Sequence, residues 1–216
     1  MAETRHDPRP VLAAYGDSLV AGWGLAPGDA LSVRLEAELL KRGRAVAVLD
    51  FGVSGDTALD GLDRLPDVLA ARPRAVLLEF GANDCYQGIP VEETTQALDQ
   101  MIHALKDSGA HVLLAGWRTR SDLFKPEFDD PDLAGLVPIA PPLFDADYVE
   151  RFNRIHADLA RAHKLPLMPH ILDPLLDPAL DGAGSLALFQ ADGVHPSARG
   201  AQLLAEALAP LLLPLL

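Results

Sequence analysis

Residues 11–24 read VLAAYGDSLVAGWG. The apolar run Val11-Leu-Ala-Ala carries the chain in, Gly16-Asp17-Ser18 breaks it, and Gly22 and Gly24 follow. Glycine tolerates backbone angles that other residues avoid, so the stretch reads as a buried strand ending in a sharp turn. A serine held in such a turn stands at the C-terminal end of a sheet, where open α/β folds place their chemistry. Taken alone, the stretch fits a strand-to-helix loop with a capping serine equally well. Partners from later segments decide between the two.

The rest of the chain alternates in the same way. Apolar runs at 45–49, 75–80, 112–115 and 165–168 read as further strands. Helical spacing covers 30–41 (Leu31, Leu35, Leu39, then Gly43 as a stop), 57–69 (Leu59, Leu62 and Leu69 as its buried face), 91–108, 147–163 and 196–208. Strands alternating with helices of this length predict an α/β fold, a parallel sheet covered on both faces. No internal repeat is visible, and residues 1–216 read as a single domain. The rhythm fails only from about 117 to 143, which is rich in proline and glycine. Loops this long are often functional, so this one is expected to be a lid or a wall of an acyl pocket.

The composition narrows the chemistry. A formal charge of −13 over 216 residues disfavours nucleic acid as a partner. Cys85 is the one cysteine, so neither an internal disulfide nor a cysteine-based zinc cluster can form. No stretch of about 20 apolar residues is present, so no membrane span is expected. The start, MAETRHDPRP, shows no secretory leader. As written this implies a cytoplasmic protein, or a periplasmic or secreted one had a leader been cut away.

Four segments follow a strand or precede the last helix: Gly16-Asp17-Ser18, Ser54-Gly55-Asp56-Thr57, Gly81-Ala82-Asn83-Asp84 and Asp192-Gly193-Val194-His195-Pro196. In a parallel sheet such loops share one edge, so residues about 180 apart in sequence can meet there. Their types suit acyl transfer, which needs a nucleophile, a base and a group to orient the base. Ser18 can be the nucleophile and His195 the base. Asp192, three residues earlier, can reach the imidazole within one turn. The N–H groups of Ser18 and Gly55 and the side-chain amide of Asn83 suit the developing oxyanion. Trp117, Arg118 and Val194 are expected to contact the substrate. Arg118, Arg120 and Lys125 form a local positive cluster that could meet an anionic head group.

The four blocks GDSL at 16–19, SGDT at 54–57, GAND at 81–84 and DGVHP at 192–196 resemble those of the SGNH hydrolases, also called GDSL esterases and lipases. The resemblance runs over about 11–208 and is greatest to the bacterial arylesterase, lysophospholipase and acyl-CoA thioesterase I branch, which Glu79 also fits. It implies a three-layer α/β/α fold with a five-stranded parallel sheet in flavodoxin-like order. It further implies a Ser18, Asp192 and His195 triad, an oxyanion hole from Ser18, Gly55 and Asn83, a small acyl ester as substrate, and neither metal nor organic cofactor. Asp50 and Cys85 depart from that branch, which often has asparagine and glycine there, and the stretch after Trp117 is longer. A carbohydrate O-deacetylase would use the same residues, and a non-catalytic binding domain can share the fold.

Other residues have plainer readings. Asp17 suits a turn and Asp56 a helix cap. Asp84 suits a loop tie, and Cys85 a small buried hydrophobe. Six further histidines are present, His6, His103, His111, His156, His163 and His170; Asp173 lies three residues after His170 and Asp158 two after His156, neither a zinc spacing on a helix, and the six read as surface or packing residues.

Overall fold

The computed structural model describes residues 9–119, 146–176 and 187–216. β1 (Val11–Gly16) is central: it pairs in parallel with β2 (Ala47–Gly52) on one side and β3 (Ala75–Glu79) on the other. β4 (His111–Ala115) and β5 (Leu167–Met168) extend the sheet to the order β2-β1-β3-β4-β5, which is the expected flavodoxin-like arrangement. β1, β3 and β4 are buried almost throughout, as strands covered on both faces must be.

Two helices cover one face. α2 (Leu31–Lys41) buries the expected Leu31, Leu35 and Leu39, and α7 (Ala198–Leu212) packs on it with Leu204, Leu208 and Leu212. α3 (Ala58–Ala70), α5 (Val91–Asp107) and α6 (Ala146–His163) line up on the other. Full burial of a leucine stabilises by roughly 1.5–3 kcal/mol, so the α2–α7 contact is a major part of the core. Two short helices were not anticipated, α1 (Ser18–Ala21) and α4 (Ala82–Gln87). Both begin directly after a strand. Among the described residues no helix is long and apolar enough to cross a membrane.

Two expectations need correction. β2 lies at 47–52, later than 45–49, because this edge strand pairs only with β1 and tolerates Asp50 and Gly52 in its exposed half. Leu59 is 54% exposed. α3 instead buries Ala58, Gly61, Leu65 and Val68, with Leu62 and Leu69 packed at its margin. Its phase is set at the start, where Thr57 and Asp60 form a capping box. It is also set at Gly61, whose carbonyl accepts the Tyr15 hydroxyl. The segment from residue 120 to 143, expected to be a lid, lies outside the described residues.

Gly61 is a packing requirement. The Phe80 ring stands edge-on to Tyr15 at 5.1 Å, and a Cβ on residue 61 would meet it at 2.5 Å. Alanine in a helix interior gains up to about 1 kcal/mol over glycine, while overpacking a core costs about 1–3 kcal/mol. Phe80 is fully buried and has nowhere to retreat. Gly61→Ala is therefore expected to lower the denaturation midpoint in urea, and an unchanged or higher midpoint would show that this contact yields.

Candidate active site

The loops that leave β1 and β3 open at the point where the strand order reverses. Asp17 caps α1, its Oδ1 accepting the Leu19 N–H at 2.9 Å, so Ser18 becomes the first residue of that helix. Gly81 precedes α4 and places Asn83 on its first turn. The third contributor, 192–195, lies just before α7. There the carboxylate of Asp192 accepts the backbone N–H groups of Val194 and His195 at 2.9 and 3.0 Å.

These elements bring Ser18, His195 and Asp192 into one line. His195 Nε2 stands 2.9 Å from Ser18 Oγ, and its Nδ1 stands 2.8 Å from Asp192 Oδ2. A carboxylate only accepts, so Nδ1 carries the proton and Nε2 presents its lone pair to the Ser18 hydroxyl. Partial burial pushes the Asp192 carboxyl upward. The backbone N–H groups of His195 and Val194, and then the imidazole, outweigh it and hold the group below the usual range. Asp192 is thus a fixed negative charge beside the ring.

Asn83 is held from two sides. Its Nδ2 donates to the Asp56 carbonyl at 2.9 Å and to Asp17 Oδ2 at 3.2 Å. Gly55 sits in the left-handed region at φ 92°, and no atom lies within 4 Å of where a Cβ would stand. Its face is open and its conformation favours glycine. Asp84 ties the neighbouring turns together, accepting the Ala58 N–H at 3.0 Å and the Thr94 hydroxyl at 2.9 Å. Asp56 does not cap α3, since Thr57 does; it forms an ion pair with Arg64 at 2.6 Å instead.

The three residues expected at the substrate occupy different settings. Trp117 is buried against Tyr86 and His170, at ring distances of 5.9 and 4.9 Å. Arg118 Nη2 donates to the Asp173 carboxylate, 3.1 Å from each oxygen. Val194 is half-buried beside the imidazole it precedes. Arg120 and Lys125 lie outside the described residues. Cys85 is buried, and that burial pushes its thiol up to about 11, which keeps it from acting as a nucleophile.

Three residues at the site were not singled out for a role in it. Trp23 is 56% exposed and its ring lies 6.2 Å from that of His195. Gln190 braces the histidine loop, its Nε2 donating to the carbonyls of Trp23 at 2.6 Å and Pro196 at 3.0 Å. Its own N–H donates to the His195 carbonyl at 2.8 Å. Glu79 is fully buried at the end of β3, with Oε2 3.4 Å from the Asp17 N–H and Oε1 unpartnered. A polar residue closing the apolar run AVLLEF was the available signal.

Burial first, and then the Asp17 charge, drive the Glu79 carboxyl well above its usual range, so it stays protonated. Burial also raises Asp17, to about 6. A folded-state pKa raised in this way contributes stability that is complete below the unfolded value of 4.5 and is lost as pH rises through the folded value. Glutamine copies the protonated acid without the titration. Glu79→Gln is expected to flatten the decline in unfolding free energy from pH 5 upward. Parallel slopes in the two proteins, measured by denaturant titration, would refute a protonated Glu79.

Comparison with known proteins fits this geometry. The GDSL-like Lipase/Acylhydrolase family profile matches residues 14–203. Esterase TesA of Pseudomonas aeruginosa is 30% identical over 214 residues, covering 99% of this chain and 92% of its own. An arylesterase of Vibrio mimicus is 31% identical over 196 residues, with 90% and 84% covered. The crystal structure of TesA matches with a TM-score of 0.74 at 30% identity, covering 95% of this chain and 99% of its own. With four blocks in order, a matching fold and relatives along nearly its whole length, the chain belongs to the GDSL-like lipase/acylhydrolase family, the SGNH hydrolases, and is an ester hydrolase of that type.

Proposed function

We propose that the protein hydrolyses carboxylic esters or thioesters through Ser18, His195 and Asp192 by way of an acyl-enzyme. The observation that carries this reading is the unbroken chain of contacts from Ser18 Oγ through the imidazole to Asp192, at 2.9 and 2.8 Å. Ser18 Oγ attacks the carbonyl carbon while its proton passes to His195 Nε2. Asp192 stabilises the imidazolium without taking the proton. The C–O or C–S bond then breaks, and the leaving alcohol or thiol takes the proton from Nε2. Water repeats the sequence on the acyl-enzyme and returns the acid and free Ser18.

The negative oxygen of each tetrahedral intermediate sits among the N–H groups of Ser18 and Gly55 and the Asn83 amide. Both Asn83 hydrogens are occupied in the free enzyme. The contact to Asp17 is the longer, so that hydrogen is the one redirected to the oxyanion. Asp17 then acts by aiming the amide. Trp23, exposed beside the imidazole, offers a flat apolar surface to the leaving group or acyl chain. That relatives are named esterase and arylesterase supports this reading over a carbohydrate deacetylase.

Ser18→Ala is expected to lower p-nitrophenyl ester turnover by at least about 10⁴-fold. Loss of a single oxyanion donor in Asn83→Ala should cost about 10²–10³ in kcat. The test is a panel of p-nitrophenyl esters from acetyl to palmitoyl, with an acyl-CoA, a lysophospholipid and an acetylated sugar. Retained activity in Ser18→Ala would overturn the mechanism, and turnover confined to the sugar would make the enzyme a deacetylase.

A further inference from the structure

At the far end of α5 and α6 three metal-ligating side chains converge outside the ester-hydrolysis site. Asp99 and His103 lie four residues apart on α5, a spacing that puts both on one face of the helix. His163 is the last residue of α6. Its Nε2 is 2.6 Å from Asp99 Oδ1, and His103 Nε2 is 3.8 Å from Asp99 Oδ2. The two imidazoles meet edge-on with centroids 4.6 Å apart. One ligand atom from each residue fits within a group no wider than 4.8 Å.

We propose that Asp99, His103 and His163 form a divalent transition-metal site of the Zn²⁺ class that clips α5 to α6. Four ligands around zinc, at about 2.0–2.1 Å each, stand about 3.3 Å from one another. The 2.6 Å between His163 Nε2 and Asp99 Oδ1 and the 4.8 Å limit over one ligand atom from each residue lie on either side of that value, so side-chain rotations complete the set. The His163 side chain is only 8% exposed, which fixes one ligand. His103 is 63% exposed and Asp99 41%, which leaves them free to adjust and leaves a fourth position open to water. Two imidazoles and one carboxylate suit zinc, cobalt, nickel or copper and not magnesium or calcium, which need more oxygen ligands.

The surroundings tolerate a cation. Lys106 lies on the same face of α5, but its ammonium is engaged at 3.1 Å by the His163 carbonyl, and the chain as a whole carries −13. That contact also pins the end of α6 where the ligand sits. The second half of α5 runs toward His111, the first residue of β4, so the site lies toward the opposite sheet edge from Ser18. Spacing along one helix does not reveal the set, because the third ligand comes from a different helix.

The test is calorimetric titration of the tag-free full chain with Zn²⁺, together with visible absorption on adding Co²⁺. One tight equivalent of Zn²⁺ and the intense bands of four-coordinate cobalt are expected. His103→Ala, at an exposed position, and Asp99→Asn should each weaken binding at least tenfold while leaving ester turnover unchanged. The same affinity in both variants as in the parent, or no one-to-one step in the parent, would overturn the site.

Discussion

The active-site edge depends on the parallel pairing of β1 with β3. The register sets Tyr15 beside Leu78, so the next residues, Gly16 and Glu79, lie side by side at the sheet edge. A Cβ at position 16 would stand 2.7 Å from Glu79 Oε2 and 2.5 Å from the Glu79 carbonyl. Only glycine allows the two strands to finish together there. The buried acid then receives the Asp17 N–H, and Asp17 turns its carboxylate to Leu19 and Asn83. One close backbone approach thus orders the first turn of α1, which carries Ser18, and the amide on α4.

A buried acid is costly when charged, and the site accommodates this by giving the two carboxylates different states. Glu79, without access to water, remains neutral. Asp17, with the Leu19 and Asn83 donors, is raised only to about 6 and so ionises first of the two. The arrangement keeps a negative group near the Asn83 amide without adding a second one. The site therefore has two layers, Ser18, His195 and the Asn83 amide toward the surface and a layer of acids beneath them that holds the first in place.

Much of this is legible in the amino-acid sequence alone. Strand and helix alternation follows from burial on both faces of a parallel sheet, and the apolar runs record it directly. Ser18 and Asn83 were legible because loops after parallel strands must share an edge, and His195 because its block stands just before the last helix. Other features depend on tertiary contacts that leave little local trace. Leu59 and Leu62 are equally apolar, and only the capping box and the Phe80 ring decide which turns inward. The partner of Asp56 is Arg64, one face further along α3, and nothing in the pattern favoured it over a cap. The role of Glu79 needed the Gly16 register. The clustering of His103 with His163 needed the packing of two helices.

The histidine reaches the site by a different route from the serine. Ser18 and Asn83 follow strands held by the hydrogen bonds of the sheet. The loop before α7 follows none of the central strands; it rests on Gln190, on the short bridge between Phe189 and Pro196, and on the packing of α7 against α2. Asp192 and His195 travel together on one turn, so their contact survives any movement of that turn as a unit. The contact that breaks is the one to Ser18. Warmth that loosens leucine packing between the two helices would separate the imidazole from the Ser18 hydroxyl while the sheet stays intact and the imidazole keeps its carboxylate. On the mechanism proposed above, ester turnover would be lost before the fold.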